Sequence, residues 1–457
     1  MTTRKLHPDL RRRALAKGLL LAPLAGGVRL ARAESEVRAL VIGAGMAGIS
    51  AARTLEDAGV GATIIEARER IGGRIWSDDS LGATVDMGGA WIHGTRFNPL
   101  TRMARRQKIE TSRTDYDDLV AFDRGRRMSE RELADIAELA GELEYYIDRL
   151  DVDGDISLQA AVDRVLAAEG ATAEERHALR FALSPLVTEA GANLSELSLV
   201  HADAGDGFGG GDVLFPGGYR QLVDGLATGL DLRLGQPVQQ VEYGLEGVRV
   251  TTATGRFEAD GVISTLPLGV MKAGAVRFSP GLPKAHAAAI DRLGMGVLDK
   301  VALRFPESFW ETRVEFTARV PDVVGEFAMF LHLDAHVDAP IIVALCAGDF
   351  ARENETRDDR TIVATVMKAL RECYGAGIPD PEAFVISRWW TDPFAGGSYS
   401  HLRPGSSPSD REALTEPLGA GRVRFAGEHT TTSYPGTVHG AHLTGIREAE
   451  AALADVG

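Results

Sequence analysis

The chain has 457 residues, of which 44% are hydrophobic and 25% charged, with a formal net charge of -15. That length exceeds what one hydrophobic core usually covers, and the composition is that of a soluble globular protein, so two domains are expected. The acidic balance leaves no basic stripe to neutralise phosphates, which excludes a nucleic-acid-binding class, while it mildly favours the approach of cations.

The first 33 residues stand apart. Arg11, Arg12 and Arg13 precede a short apolar stretch that ends in an A-x-A at Ala33. This is the layout of an export signal of the twin-arginine type, the route that carries folded proteins. The expected location is periplasmic or secreted, or cytoplasmic if the signal does not function. The apolar stretch is too short and glycine-rich to span a bilayer, so no stable membrane span is expected.

Ordered patterning starts at Val37. Arg38–Ile42 reads as a strand, GAGMAG as a turn, ISAARTLEDAG as a helix stopped by Gly59, and ATII as a second strand ending at Glu66. This is a βαβ opening. From Thr101 to His201 the pattern is mostly helical, as in ELADIAELAGELEYYIDRL. A glycine-rich loop at 205–211 leads into FPGGYRQLVDGLA, a turn and a helix. Strands are expected in PVQQVEY, GVRVTTATG, DGVISTLP, LDKVALRF, EFAMFLHL and IIVALCAG, and a last helix in GAHLTGIREAEAALA. Cys346 falls on a strand and Cys373 ends the helical run TIVATVMKALRE; a bridge between them stays open, but no disulfide framework and no zinc spacing exists.

Gly43, Gly45 and Gly48 form a G-x-G-x-x-G between strand and helix. The first glycine permits the tight turn, the second lets backbone N–H groups approach a pyrophosphate, and the third lets helix pack on strand. Glu66 stands where a carboxylate holds a ribose hydroxyl pair. Gly72, Gly73 and Arg74 then add a flexible turn and a cation for diphosphate, an element that a nicotinamide-only domain does not need. The dinucleotide expected is therefore FAD.

These motifs, together with DMGGAWIHG, SRWWTDPFAGGSYS and FAGEHTTTSYPGTVHGAHLTGIREAE, make the chain resemble the flavin-containing amine oxidases from about Val37 to its end. That group includes polyamine oxidases, monoamine oxidases and lysine-specific histone demethylases. The resemblance implies an α/β plus α+β fold: a Rossmann-like FAD domain from residues 36–95, 207–285 and 396–457, and a mixed sheet and helical substrate domain from 96–206 and 286–395. It also implies that Glu66, Ala67, Arg68, Gly73 and Arg74 bind the ADP half beside Gly43, Ala44, Gly45 and Gly48, with the Val238 backbone on adenine. Gly89, Ala90, Trp91, Trp389, Thr437 and Val438 are implied to flank the flavin, and Glu428 its ribityl or diphosphate region.

On the reacting side the resemblance implies a lysine, Lys300, that reaches the flavin through a water; without it, Lys300 reads as a solvent-facing strand residue. Tyr399 corresponds to one side chain of the amine sandwich and Thr437 to the other, where monoamine oxidases carry an aromatic. Ser398 replaces their flavin-tethering cysteine, which implies noncovalent FAD. His93 corresponds to a tunnel histidine of animal polyamine oxidases, and Glu189 aligns loosely with an acid near the substrate amines. The implied activity is oxidation of amine C–N bonds, preferably of polyamines, with O2 as acceptor and aldehyde, smaller amine and hydrogen peroxide as products. Simple monoamines are the rival substrates, a flavin-binding protein without turnover is the rival class, and histone demethylation is disfavoured by the export signal. His332, His336, His439 and His442 lack a third ligand at zinc-like spacing, so no metal is expected.

Overall fold

The computed structural model describes residues 38–456, so the expected export signal lies outside the described residues. The chain opens with β1 (Arg38–Ile42), α1 (Met46–Asp57) and β2 (Gly61–Ile65). These seed a five-stranded parallel sheet in the order Asp231–Arg233, β2, β1, Gly261–Ser264, Val423–Phe425. Parallel strands are covered on both faces, hence their continuous apolar runs. One cover is α1, which buries Ile49, Ala51, Ala52 and Leu55 and packs along the final helix, Val438–Val456. Short alanine and glycine side chains let the two helices lie close. A four-stranded sheet, built from 238–244, 247–252, 256–259 and 277–279, packs against the other side.

The second large layer is a seven-stranded sheet in the order Ala383–Ile386, Leu298–Arg304, Ile341–Ala347, Met329–His332, Phe316–Arg319, Leu119–Asp123, Arg126–Arg127. Leu298–Arg304 lies between Ala383–Ile386 and Ile341–Ala347 and is buried along most of its length. Strand alternation sends Leu298, Lys300 and Ala302 to one face and Asp299, Val301 and Leu303 to the other. Each face is covered: Ala302 packs with Met87, Phe316 and Leu345, and Val301 and Leu303 with Phe330, Val366 and Leu370. The architecture is thus α/β with α+β, as expected.

Two readings are refined. The stretch from Thr101 to His201 holds four helices, but also the strands Ser112–Thr114, Leu119–Asp123 and Arg126–Arg127. Leu119–Asp123 pairs in parallel with Phe316–Arg319, so its conformation is set by residues far along the chain. The open Cys346–Cys373 bridge is absent: both are free, buried thiols. Among the described residues no helix is long and apolar enough to cross a membrane.

Candidate active site

The turn between β1 and α1 is shaped by close approach. Gly43 adopts a φ of +99°, which disfavours any side chain, and its N–H donates to Ile65 at 2.8 Å. A Cβ on Gly48 would stand 1.9 Å from the Gly43 carbonyl oxygen, so α1 reaches β1 only with glycine there. Gly45 caps α1 without a side-chain hydrogen bond, which leaves first-turn N–H groups and the positive helix end for an anion. Glu66, buried at the end of β2, accepts from the Ala44 N–H at 2.7 Å and the Arg68 N–H at 2.8 Å. A carboxylate has lone pairs beyond these two, and Glu66 lines the adjoining cavity.

That cavity has a volume of about 1000 Å³, the upper end of the range for small-molecule sites. It brings together the expected Gly43, Gly45, Glu66, Arg68, Gly73, Arg74, Gly89, Ala90, Trp91, Trp389, Glu428, Thr437 and Val438, and also Lys300, His93, Tyr399 and Glu189. Ala44, Gly48, Ala67 and Val238 do not line it. Ala44 and Gly48 serve the turn from behind, and Val238 begins the strand Val238–Gly244 opposite Thr252.

Midway along the cavity, Arg74 donates to the Ser398 carbonyl at 2.8 Å and to Glu428 at 2.9 Å. Glu428 also accepts from the Ser400 hydroxyl at 2.7 Å and the Gly436 N–H at 3.1 Å. Burial alone would raise its pKa, but Arg74, His429 and Arg411 hold it down at about 2. Arg411 donates to the Ser400 hydroxyl at 2.7 Å, while its buried Nε has no partner and the residue lines the cavity. A helix N-terminus, two arginines and an unpaired guanidinium N–H suit the diphosphate of a dinucleotide, so the residues present fit a flavin dinucleotide.

Lys300 is only 3% exposed. Its Nζ donates to the carbonyls of Asp86 and Gly88, each at 2.8 Å, and lies 5.0 Å from the centre of the Trp91 ring. Burial pushes its pKa down to about 8, against the opposing charge of Asp86. Asp86 is itself pushed up to about 6 by burial, although the Ser77 hydroxyl, Lys300 and the Tyr219 N–H all favour its charge. A buried amine poised near neutrality can hold a water or pass a proton. The solvent-facing reading of Lys300 does not hold.

Beyond Lys300 the cavity is walled by the helix Ala173–Ala190 and the loop before the strand Asp212–Leu214. Tyr399 donates to the Thr188 carbonyl at 2.7 Å, and burial with the nearby Glu189 charge raises its pKa, keeping the phenol neutral. Thr437 lines the same cavity, but its hydroxyl is committed: it donates to Tyr434 O and accepts from the Gly440 N–H, both at 2.9 Å, capping the last helix. His93 pairs with Asp212 at 2.7 Å, its side chain still 57% exposed. Tyr116 donates to the same carboxylate at 3.3 Å. Asp117, Glu189, Asp203 and Asp212 line this end of the cavity, whereas its Arg319 is matched by Glu372 at 3.0 Å and Glu326 at 3.8 Å.

Sequence reasoning missed Asp86, Asp212, Tyr116 and Arg411. Asp86 opens the quoted DMGGAWIHG motif and was the one with a signal to find. His442 bonds the Ser50 hydroxyl at 2.7 Å, and His332 bonds Thr317 and the Val314 carbonyl, which gives both structural work. Among the described residues no three His, Cys, Asp or Glu side chains are grouped to hold a metal ion.

The family model for flavin containing amine oxidoreductases matches residues 46–453. The chain belongs to this family. It is 36% identical to Protein FLOWERING LOCUS D of Arabidopsis thaliana over 448 residues, covering 91% of this chain and 55% of that protein. It is 33% identical to lysine-specific histone demethylase 2 of Homo sapiens, covering 90% of this chain and 52% of that one. The chain spans about half the length of the curated relatives it matches. Among solved structures, a redesigned putrescine oxidase superposes with a TM-score of 0.75 at 20% identity, covering 92% of this chain and 99% of the other. At that identity the likeness establishes the amine oxidoreductase fold.

Proposed function

We propose that the protein is an FAD-dependent oxidase of amine C–N bonds whose preferred substrates are polyamines of the spermidine or spermine type. The observation that carries this reading is the buried Lys300 ammonium, held by Asp86 and Gly88 between a dinucleotide cradle and an acid-lined chamber. When bound, the flavin would accept the hydride from the carbon next to the amine nitrogen. Glu66, Arg74 and Glu428 would hold the cofactor's ADP and ribityl portions, with Trp389 and Val438 packed beside its ring. Ser398, whose hydroxyl bonds Leu298 N and O at 2.9 and 3.0 Å, offers no thiol, so the cofactor would be noncovalent.

The chain's own residues account for the rest of the reaction. Tyr399, neutral and fixed by Thr188, would orient a neutral amine nitrogen, and Lys300 would hold the water that hydrolyses the imine. The overall conversion is R–CH2–NH–R′ plus O2 plus H2O to R–CHO, R′–NH2 and H2O2. Glu189 and Asp212 would retain the remaining ammonium groups of a polyamine. The proposal includes export through the twin-arginine-type leader.

The similarity to lysine-specific histone demethylase 2 favours a second reading, in which the amine is an N-methylated lysine side chain. A hydrogen peroxide assay across spermine, spermidine, putrescine, tyramine and an N-methyl-lysine peptide separates them. Turnover of spermine or spermidine supports the proposal; turnover of tyramine alone sinks it, and turnover of the peptide alone selects the second reading. Anaerobic bleaching by none of them would leave a flavin-binding protein without turnover.

A further inference from the structure

Behind the cavity wall, on the face of the strand Leu298–Arg304 opposite Lys300, two carboxyl groups are buried together. Asp299 and Glu355 are 3% and 7% exposed. Asp299 Oδ1 accepts from the Ser387 hydroxyl at 2.8 Å and the Trp389 N–H at 3.2 Å. Glu355 Oε1 accepts from the Trp390 N–H at 2.7 Å, and Oε2 from the N–H and hydroxyl of Thr391, both at 2.7 Å. Three successive backbone N–H groups thus end on these two side chains. Among the described residues no arginine, lysine or histidine pairs with either carboxyl. Arg352 stacks on Trp390 and bonds Glu196 and Asp349, Arg388 bonds Asp359, and Arg68 bonds Asp392. The remaining ionisable neighbour is the Cys346 thiol, which burial and these same carboxyls keep protonated.

Two charges of one sign cannot both persist in such a site without a cation. Asp299 Oδ2 is buried and receives no hydrogen bond from any donor, while Glu355 faces it. A proton on that oxygen removes one charge and turns the orphaned atom into a donor toward Glu355.

We propose that Asp299 and Glu355 share one proton and act as a positioning pair that holds the Trp389–Thr391 turn, and through it Trp389, against the cavity wall. Trp389 is in a place to matter. Its indole N–H donates to the Met87 carbonyl at 3.1 Å, and a Cβ on Gly88 would stand 3.0 Å from its Cζ2. The segment that Trp389 touches at Met87 and Gly88 is the one Lys300 grips through the Asp86 and Gly88 carbonyls. Burial, then Glu355, raise the Asp299 pKa well above the ordinary 3.8, in accord with a proton held by the pair.

A folded state that keeps a proton released by the unfolded chain loses stability as pH rises above the unfolded value, by about tenfold in the folding equilibrium per pH unit. Asp299→Asn supplies an amide donor to Glu355 and an acceptor to Trp389 without titrating. We expect D299N to remove that decline above about pH 4, in both the flavin-free and the flavin-loaded protein, and to keep the near-UV circular dichroism of the tryptophans. Asp299→Ala is expected to lose those bands and to bind FAD at least tenfold more weakly. A D299N slope identical to the native one, or an Ala variant with native tryptophan bands and FAD affinity, overturns the proposal. If the Ala variant does not fold, the D299N slope decides alone. None of these readouts uses turnover, so the outcome is separable from that of the amine-oxidation reading.

Discussion

The Lys300 ammonium donates to the Gly88 carbonyl oxygen at 2.8 Å, tying the strand Leu298–Arg304 of the large sheet to the cavity wall at Gly88. One side chain therefore serves as a structural strut and, in the proposed reaction, as the amine that holds the water. Replacing it should expose both roles.

Lys300→Met leaves the Asp86 and Gly88 carbonyls without their donor and removes the water-holding amine. Stopped-flow measurement should find flavin reduction or its reoxidation by oxygen slowed by roughly 10²-fold, the scale of a lost proton-handling group. An unchanged rate for both half-reactions would remove Lys300 from the mechanism. The native protein should also gain stability as pH rises from about 8 toward the ordinary lysine value of 10.5, because the folded amine gives up its proton first. The Met variant should lack that rise in a pH series of denaturant melts.

Asp212 gathers His93, Tyr116 and the Gly94 N–H; burial would raise its pKa, yet these partners hold it below the usual carboxylate range. Asp212→Asn keeps the shape and removes the charge. For spermine or spermidine KM should rise about tenfold, equivalent to ~1.4 kcal/mol, with kcat changed little. For tyramine KM should stay near the native value. Equal effects on both substrates would argue against an ammonium contact at this residue.

Gly48→Ala would force a methyl to within 1.9 Å of the Gly43 carbonyl oxygen, a backbone atom that cannot swing away. Overpacking of this kind costs roughly 1–3 kcal/mol. The Tm should fall, and FAD should dissociate more readily on gel filtration because the displaced helix end no longer faces the diphosphate. A native Tm with full flavin content would contradict this account of the turn.

Cys346 and Cys373 are both buried with raised pKa values, chiefly from burial. Thiol titration should therefore count no reactive cysteine in the native protein and two after denaturation without reductant. Adding a reducing agent should leave the Tm unchanged.

The glycine turn and Glu66 could be read from the sequence because their chemistry is local: the turn, the helix start and the acid lie within some two dozen residues. The strands of the second half were also readable, since short continuous apolar runs mark buried strands, as in residues 301–303 and Ile341–Ala347. What escaped depends on partners distant in sequence. Nothing near Asp86 signals that Lys300 will settle beside it, and nothing near Asp212 signals His93. Leu119–Asp123 looks like part of a helical region until Phe316–Arg319 supplies its hydrogen bonds. Thr437 could be placed at the cavity by its motif, but its capping of the last helix follows from backbone geometry alone.

The parallel sheet under the glycine turn takes its edge strand, Val423–Phe425, from the last tenth of the chain, and α1 leans on the helix that follows. During synthesis the ribosome thus delivers the nucleotide-gripping loop among the earliest folded elements and its supporting edge among the final ones. A nascent chain holds the turn long before it holds the platform. Cofactor capture should therefore be a post-translational event, and C-terminal truncations ending before residue 423 should emerge without flavin even though every glycine of the motif is present.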